Sequence, residues 1–154
     1  MTISKATILY IGLSIGISLL LLAIVAAASF IGNLSLIEYS LIFATAGPLF
    51  ASIALAKFYF ESAAPKPTWP QILTLTAISL PILLGLSIII SNAAGWIMIM
   101  IQFKEVTPTD GFPLSALLEP HFRPLANTLM TMLIGTLFIF PKQVELRRKK
   151  AGLD

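Results

Sequence analysis

Residues 8–31 read ILYIGLSIGISLLLLAIVAAASFI, and the stretch free of charged side chains extends from Ala6 to Ile37. At about 1.5 Å per residue, a helix over residues 8–31 is long enough to cross a hydrocarbon layer about 30 Å thick. Lys5 before the run and Ala26-Ala27-Ala28-Ser29 near its end also suit a secretory signal peptide. The apolar core of such a peptide is typically about 7 to 15 residues. The run here is longer and opens a series of similar runs, which favours a retained first helix over about 6–31.

Composition points the same way. Of 154 residues, 57% are hydrophobic and 11% charged, against about 25% charged in an average soluble domain. So few charges cannot supply a polar shell, so lipid must solvate most of the surface. There is no cysteine, which closes off disulfides and thiolate metal sites. The net charge of +3 does not read as a nucleic-acid footprint: half of the ten basic residues sit in the last thirteen positions, with no basic stripe interleaved with aromatics.

Beyond Gly32, Asn33 and Ser35 a second helix is expected over about 39–60, ending in Lys57-Phe58-Tyr59-Phe60, an aromatic belt at headgroup level. Gly47-Pro48 falls inside it and predicts a kink near Ala44. Three prolines and Trp69 make 61–70 a loop. The uncharged stretch that follows, 67–103, is too long for one simple span and too short for two. A third helix over about 71–90 is expected, broken at Ser91-Asn92-Ala93-Ala94-Gly95 and continued by an interfacial or re-entrant piece over 96–103, with 91–103 as an extension of the third helix left open; the alternative begins the span at Pro81. Residues 104–123 read as the one sizeable extramembrane loop, with Phe112 to Leu118 able to lie on the membrane surface. A fourth helix over about 125–141 is followed by a basic tail, 142–154.

Basic short loops stay on the cytoplasmic side during insertion. With both termini inside, Lys5, Lys57, Lys66, Lys142, Arg147, Arg148, Lys149 and Lys150 are cytoplasmic, and only Lys104 and Arg123 are outside. The expected fold class is therefore all-α: a polytopic membrane protein forming one domain, a bundle of about four transmembrane helices, N-in/C-in.

Helices in lipid associate through close packing, so small residues at one-turn spacing mark contacts. Gly12, Gly16, Ala23 and Ala27 form such a stripe on the first helix, and Ala44, Gly47, Ala51 and Ala54 another on the second. Packing within the chain is the simplest use of both, and homo-oligomerisation the alternative.

Residues with chemical potential are few. Glu119, His121 and Arg123 gather an acid, a proton shuttle and a fixed cation at the outer mouth of the fourth helix. The flanking Pro120 and Pro124 work against a regular helical ion pair there, and an interfacial role is the simpler reading. A lone histidine without cysteines cannot complete a typical zinc site, and no serine sits in an activated-nucleophile motif, so no cofactor and no metal are expected. No ionisable residue falls near the middle of a predicted span, the usual mark of an ion pathway. Asn33, Asn92, Asn127, Gln71 and Gln102 are the amides at or near membrane depth, and Asn127 with Thr128 and Thr131, or Thr74 with Thr76, could line a small polar path.

The layout resembles that of small four-helix bacterial inner-membrane proteins of the ABZJ type. Lys57-Phe58-Tyr59-Phe60 at the end of the second helix, Pro67-Thr68 before the third, and the basic stop Arg147 to Lys150 carry the resemblance, which implies the fold and no activity. The sequence thus leads to the expectation of a multi-pass protein of the bacterial inner membrane, non-enzymatic, standing alone or as a small subunit. Its partners would be the lipid bilayer and either a membrane protein or further copies of itself, without nucleic acid. An oligomeric pore or small transporter, and a membrane-embedded enzyme acting on lipid, are the alternatives.

Overall fold

The computed structural model describes residues 1–32, 46–103 and 122–153, all in helices or short connections, with no strand among them. The helices are α1 (Ile3–Gly32), α2 (Gly47–Glu61), α3 (Trp69–Phe103), α4 (Phe122–Leu133) and α5 (Phe140–Lys150), with one π-helical turn, Ile134–Ile139, joining α4 to α5. Among the described residues three stretches are long and apolar enough to cross a membrane: Ile3–Val25, Trp69–Ile90 and Pro124–Lys150.

Pro48 sits in the first turn of α2, where its missing N–H is not needed and its fixed φ suits the helix. The predicted kink at Ala44 and the first part of the predicted helix, 39–45, lie outside the described residues. At its other end α2 is closed by Ala63, which takes the left-handed conformation, φ 53°, usually given to glycine. Its N–H reaches the Phe60 carbonyl at 3.0 Å, and the Ser62 hydroxyl donates to the Tyr59 carbonyl at 2.7 Å. The connection then runs straight into α3 through a capping box, with Thr68 N–H donating to Gln71 Oε1 at 3.0 Å.

The predicted break of the third helix at 91–95 is not there. α3 runs unbroken from Trp69 to Phe103, through Pro81 and through Gly95. A single glycine costs a helix only about 1 kcal/mol and the alanines beside it favour the helix, whereas opening the backbone among apolar neighbours leaves polar groups without partners. At about 1.5 Å per residue α3 is about 50 Å long, longer than a hydrocarbon core.

The fourth helix also exceeds its predicted bounds of 125–141. α4, the π turn and α5 form one rod from Phe122 to Lys150, so the basic segment 142–150 is a helix and not a trailing coil. Pro141, which lacks an N–H and would crowd an α-helical turn before it, is accommodated because the ladder has already widened: Phe140 N–H bonds the Gly135 carbonyl, five residues back. Glu145 and Lys149, 3.0 Å apart, support α5 as a one-turn pair, and the basic residues of its last turn oppose the helix dipole. It ends in a Schellman motif, with Leu153 N–H on the Arg148 carbonyl, Gly152 N–H on the Lys149 carbonyl and Gly152 left-handed at φ 68°.

α1 packs on α2 and α3; α2 packs on α4, the π turn and α5; α3 packs on α4. The largest buried side chains, Tyr10, Leu55, Tyr59, Leu75, Met132, Phe140 and Val144, occupy the middle of this arrangement. Tyr59 meets Phe140 edge to face, with ring centres 5.4 Å apart. The predicted aromatic belt therefore loses Tyr59 to the core, because successive residues of a helix point about 100° apart.

The rest of the distribution is inverted relative to a protein dissolved in water. Large apolar side chains such as Ile8, Leu20, Met130 and Phe138 face outward, while Ser14, Ser18, Ser52, Thr76, Ser79, Ser87, Thr128 and Thr136 are buried. That is the pattern of helices that contact lipid outside and one another through small and hydroxylated residues inside.

Candidate functional site

Among the described residues two glycines let the helix backbones approach closely. A side chain at Gly47 would collide with the Ser18 hydroxyl and lie 2.6 Å from the Ser14 carbonyl oxygen. One at Gly135 would collide with the Ser52 hydroxyl and lie 3.1 Å from the Pro48 carbonyl oxygen. The first turn of α2 is thus gripped between α1 and the π turn. The Pro48 carbonyl at the centre accepts the Tyr10 phenol at 3.2 Å and the Ser52 hydroxyl at 2.9 Å.

From this node a seam of hydroxyls runs through the bundle. Thr76 Oγ1 lies 3.0 Å from Thr136 Oγ1 between α3 and the π turn, and Ser87 Oγ lies 2.7 Å from Thr128 Oγ1 between α3 and α4. Within their own helices Ser14 bonds the Tyr10 carbonyl at 2.8 Å, Ser79 the Leu75 carbonyl at 2.7 Å and Thr136 the Met132 carbonyl at 2.9 Å. These bonds satisfy buried hydroxyls that would otherwise be costly among apolar neighbours. A hydroxyl serves as a nucleophile only with a base in reach, and the partners of these are carbonyls and other hydroxyls. The chemistry available to the seam is hydrogen bonding between helices.

The residues singled out by sequence fare differently. Gly47 and Ala51 are buried at the node. Gly12 and Gly16 are exposed, and a side chain at either would meet nothing within 4 Å among the described residues; Ala23 and Ala27 are exposed as well. Among the described residues the predicted packing stripe of α1 faces outward, and the face in contact carries Thr7, Tyr10, Ser14, Ser18 and Val25. Gly12 is two residues from both Tyr10 and Ser14, which is about 200° around a helix and so places it on the opposite face.

Of the polar path, Thr76 and Thr128 are in the seam, whereas Thr74 and Asn127 are exposed. Thr74 bonds the Pro70 carbonyl at 2.8 Å and Thr131 the Asn127 carbonyl at 2.8 Å. Glu119 and His121 lie outside the described residues, and Arg123 falls in the first turn of α4 by its backbone. Tyr10, Ser14, Ser52, Ser79, Ser87 and Thr136 are the members that sequence reasoning missed. Their signal was present as hydroxyls at helical spacing, Ser14 with Ser18 and Thr76 with Ser79 and Ser87.

Among the described residues no group of three His, Asp or Glu side chains is placed to hold a metal ion. No protein-family model, no curated protein and no solved structure matches the chain.

Proposed function

We propose that the chain is a non-enzymatic, multi-pass protein of the bacterial inner membrane, crossing it about four times with both termini in the cytoplasm, and acting as a stand-alone bundle or as a small subunit of a membrane complex. The observation that supports this most is the inverted interior: outward large apolar side chains around a seam whose hydroxyls are spent on bonds between and within helices. Such a seam holds helices together and leaves the lipid-facing surface for partners. The layout resemblance to four-helix inner-membrane proteins of the ABZJ type agrees with this reading.

Reporter fusions after Glu38 and after Lys66 should report opposite compartments. Purification in mild detergent with mass analysis should recover the chain either alone or with a defined membrane partner; a turnover activity of the isolated chain would refute the non-enzymatic reading.

The second reading, an oligomeric pore or small transporter, loses the broken third helix that favoured it. It keeps the outward small-residue face of α1, Gly12, Gly16, Ala23 and Ala27, as a surface for another copy. Liposome flux above that of empty vesicles is its test. A lipid-modifying enzyme would depend on Glu119, His121 and Arg123, and an unchanged phenotype of the triple alanine variant would dispose of it.

A further inference from the structure

At one end of the bundle the loop between α2 and α3, the first turn of α3, the end of the π turn and the start of α5 enclose a crevice of about 590 Å³. That volume lies within the range of about 300 to 1,000 Å³ usual for small-ligand sites. Its lining is divided. Ile72, Leu137 and Pro141 make an apolar floor, Lys66, Lys142 and Glu145 a charged rim. Trp69 and Phe138 stand at the lips, 62% and 66% exposed. The rim lies where two apolar stretches change character: the Trp69–Ile90 span begins here, and the rod from Pro124 turns charged beyond Pro141. Trp69 is the residue type that rests at headgroup level.

The charge balance of the rim is positive. Glu145 is shared by Lys149 at 3.0 Å and Lys66 at 3.9 Å. The Lys149 hydrogen bond and the charges of Lys142, Lys149 and Lys66 hold its carboxyl below the usual range, so it stays anionic at neutral pH. With Lys149, which does not line the crevice, paired to this carboxylate, the two lining lysines, Lys66 and Lys142, leave two positive charges over an apolar floor.

We propose that this crevice seats an anionic phospholipid, with the headgroup phosphate at Lys66 and Lys142 and an acyl chain against Phe138 and Trp69. A soluble phosphate would meet only the rim, and a zwitterionic lipid brings a cation of its own to a site already positive. The proposal goes beyond the reading above and rests only on its membrane-embedded part, which resistance of the chain to alkaline extraction tests separately.

The test uses the full chain carrying Trp96→Phe, so that Trp69 is the sole tryptophan, in phosphatidylcholine nanodiscs doped with a few per cent of a lipid brominated on its acyl chains. Brominated phosphatidylglycerol should quench Trp69 more than brominated phosphatidylcholine at the same fraction. Lys66→Gln with Lys142→Gln should lower that preference about tenfold, and Lys66→Arg with Lys142→Arg should keep it. Glu145→Gln should raise it severalfold, whereas a purely structural role for the ion pairs predicts no gain. Equal quenching by the two lipids would overturn the proposal. So would reversal by soluble glycerol phosphate, or an equal loss in Lys57→Gln, whose lysine pairs with Glu61 away from the crevice.

Discussion

The two sides of α2 are held by different means. Its first turn is gripped where side chains are smallest, with Gly47 against Ser14 and Ser18 on one side and Gly135 against Ser52 on the other. Its last turns are packed by large ones, with Leu55 in the core and Tyr59 edge-on to Phe140. In water the second arrangement would dominate, because burying a large apolar side chain contributes the most. In lipid that drive between helices is absent, so the close approach of backbones carries comparable weight. Contacts of the first kind tolerate no added atom, and contacts of the second kind tolerate no removed one.

The largest effect should therefore come from enlargement at the tight end. Gly47→Leu is expected to cost about 4 kcal/mol or more, read as failure to recover a folded, monodisperse protein in detergent. Phe140→Ala, which empties the other end, should cost about 3 kcal/mol in reversible denaturation; if it proves costlier than Gly47→Leu, the ranking of the two contacts is reversed. A gain is expected at the cap of the large-residue end, where Ala63→Gly removes a left-handed alanine and should stabilise by about 1 kcal/mol, visible as a raised Tm. Thr76→Val with Thr136 left in place should cost about 0.6 kcal/mol, the scale of one hydrogen bond between helices in a bilayer. The smallest effect is expected from Gly12→Leu with Gly16→Leu, within about 0.5 kcal/mol of the parent, since that face has no neighbour among the described residues. A large loss there would mean that the outward face of α1 is covered in the folded protein.

The apolar runs were legible because a bilayer imposes one strong requirement, about 20 residues without charge, and the first run, from Ala6, meets it in plain view. Phase around a helix was not. Gly12 with Gly16 and Ser14 with Ser18 are both small-residue pairs at one-turn spacing, and nothing local to α1 says which pair meets a neighbour. The answer lies in Gly47 and Tyr10, whose partners are on another helix, far away in the sequence. Continuity failed for a related reason. Ser91 to Gly95 and Pro141 are weak points by local propensity, yet in the structure the helix passes through the first and widens ahead of the second. The seam was half visible: Thr76 and Thr128 stood out, while Ser87 and Thr136 needed the pairing of α3 with its neighbours. The crevice was not legible, since it joins Lys66 to Glu145 across the chain.

The wide turn at Ile134–Ile139 has an effect on everything after it. Relative to an uninterrupted α-helix it adds about one residue to the winding, an angular offset on the order of 100° for the following segment. With that offset Val144 points into the core and Glu145 reaches Lys66; without it the same sequence would present them to different surroundings. The turn thus works as a rotary adjustment, setting the azimuth of the charged end independently of the seam on the other side.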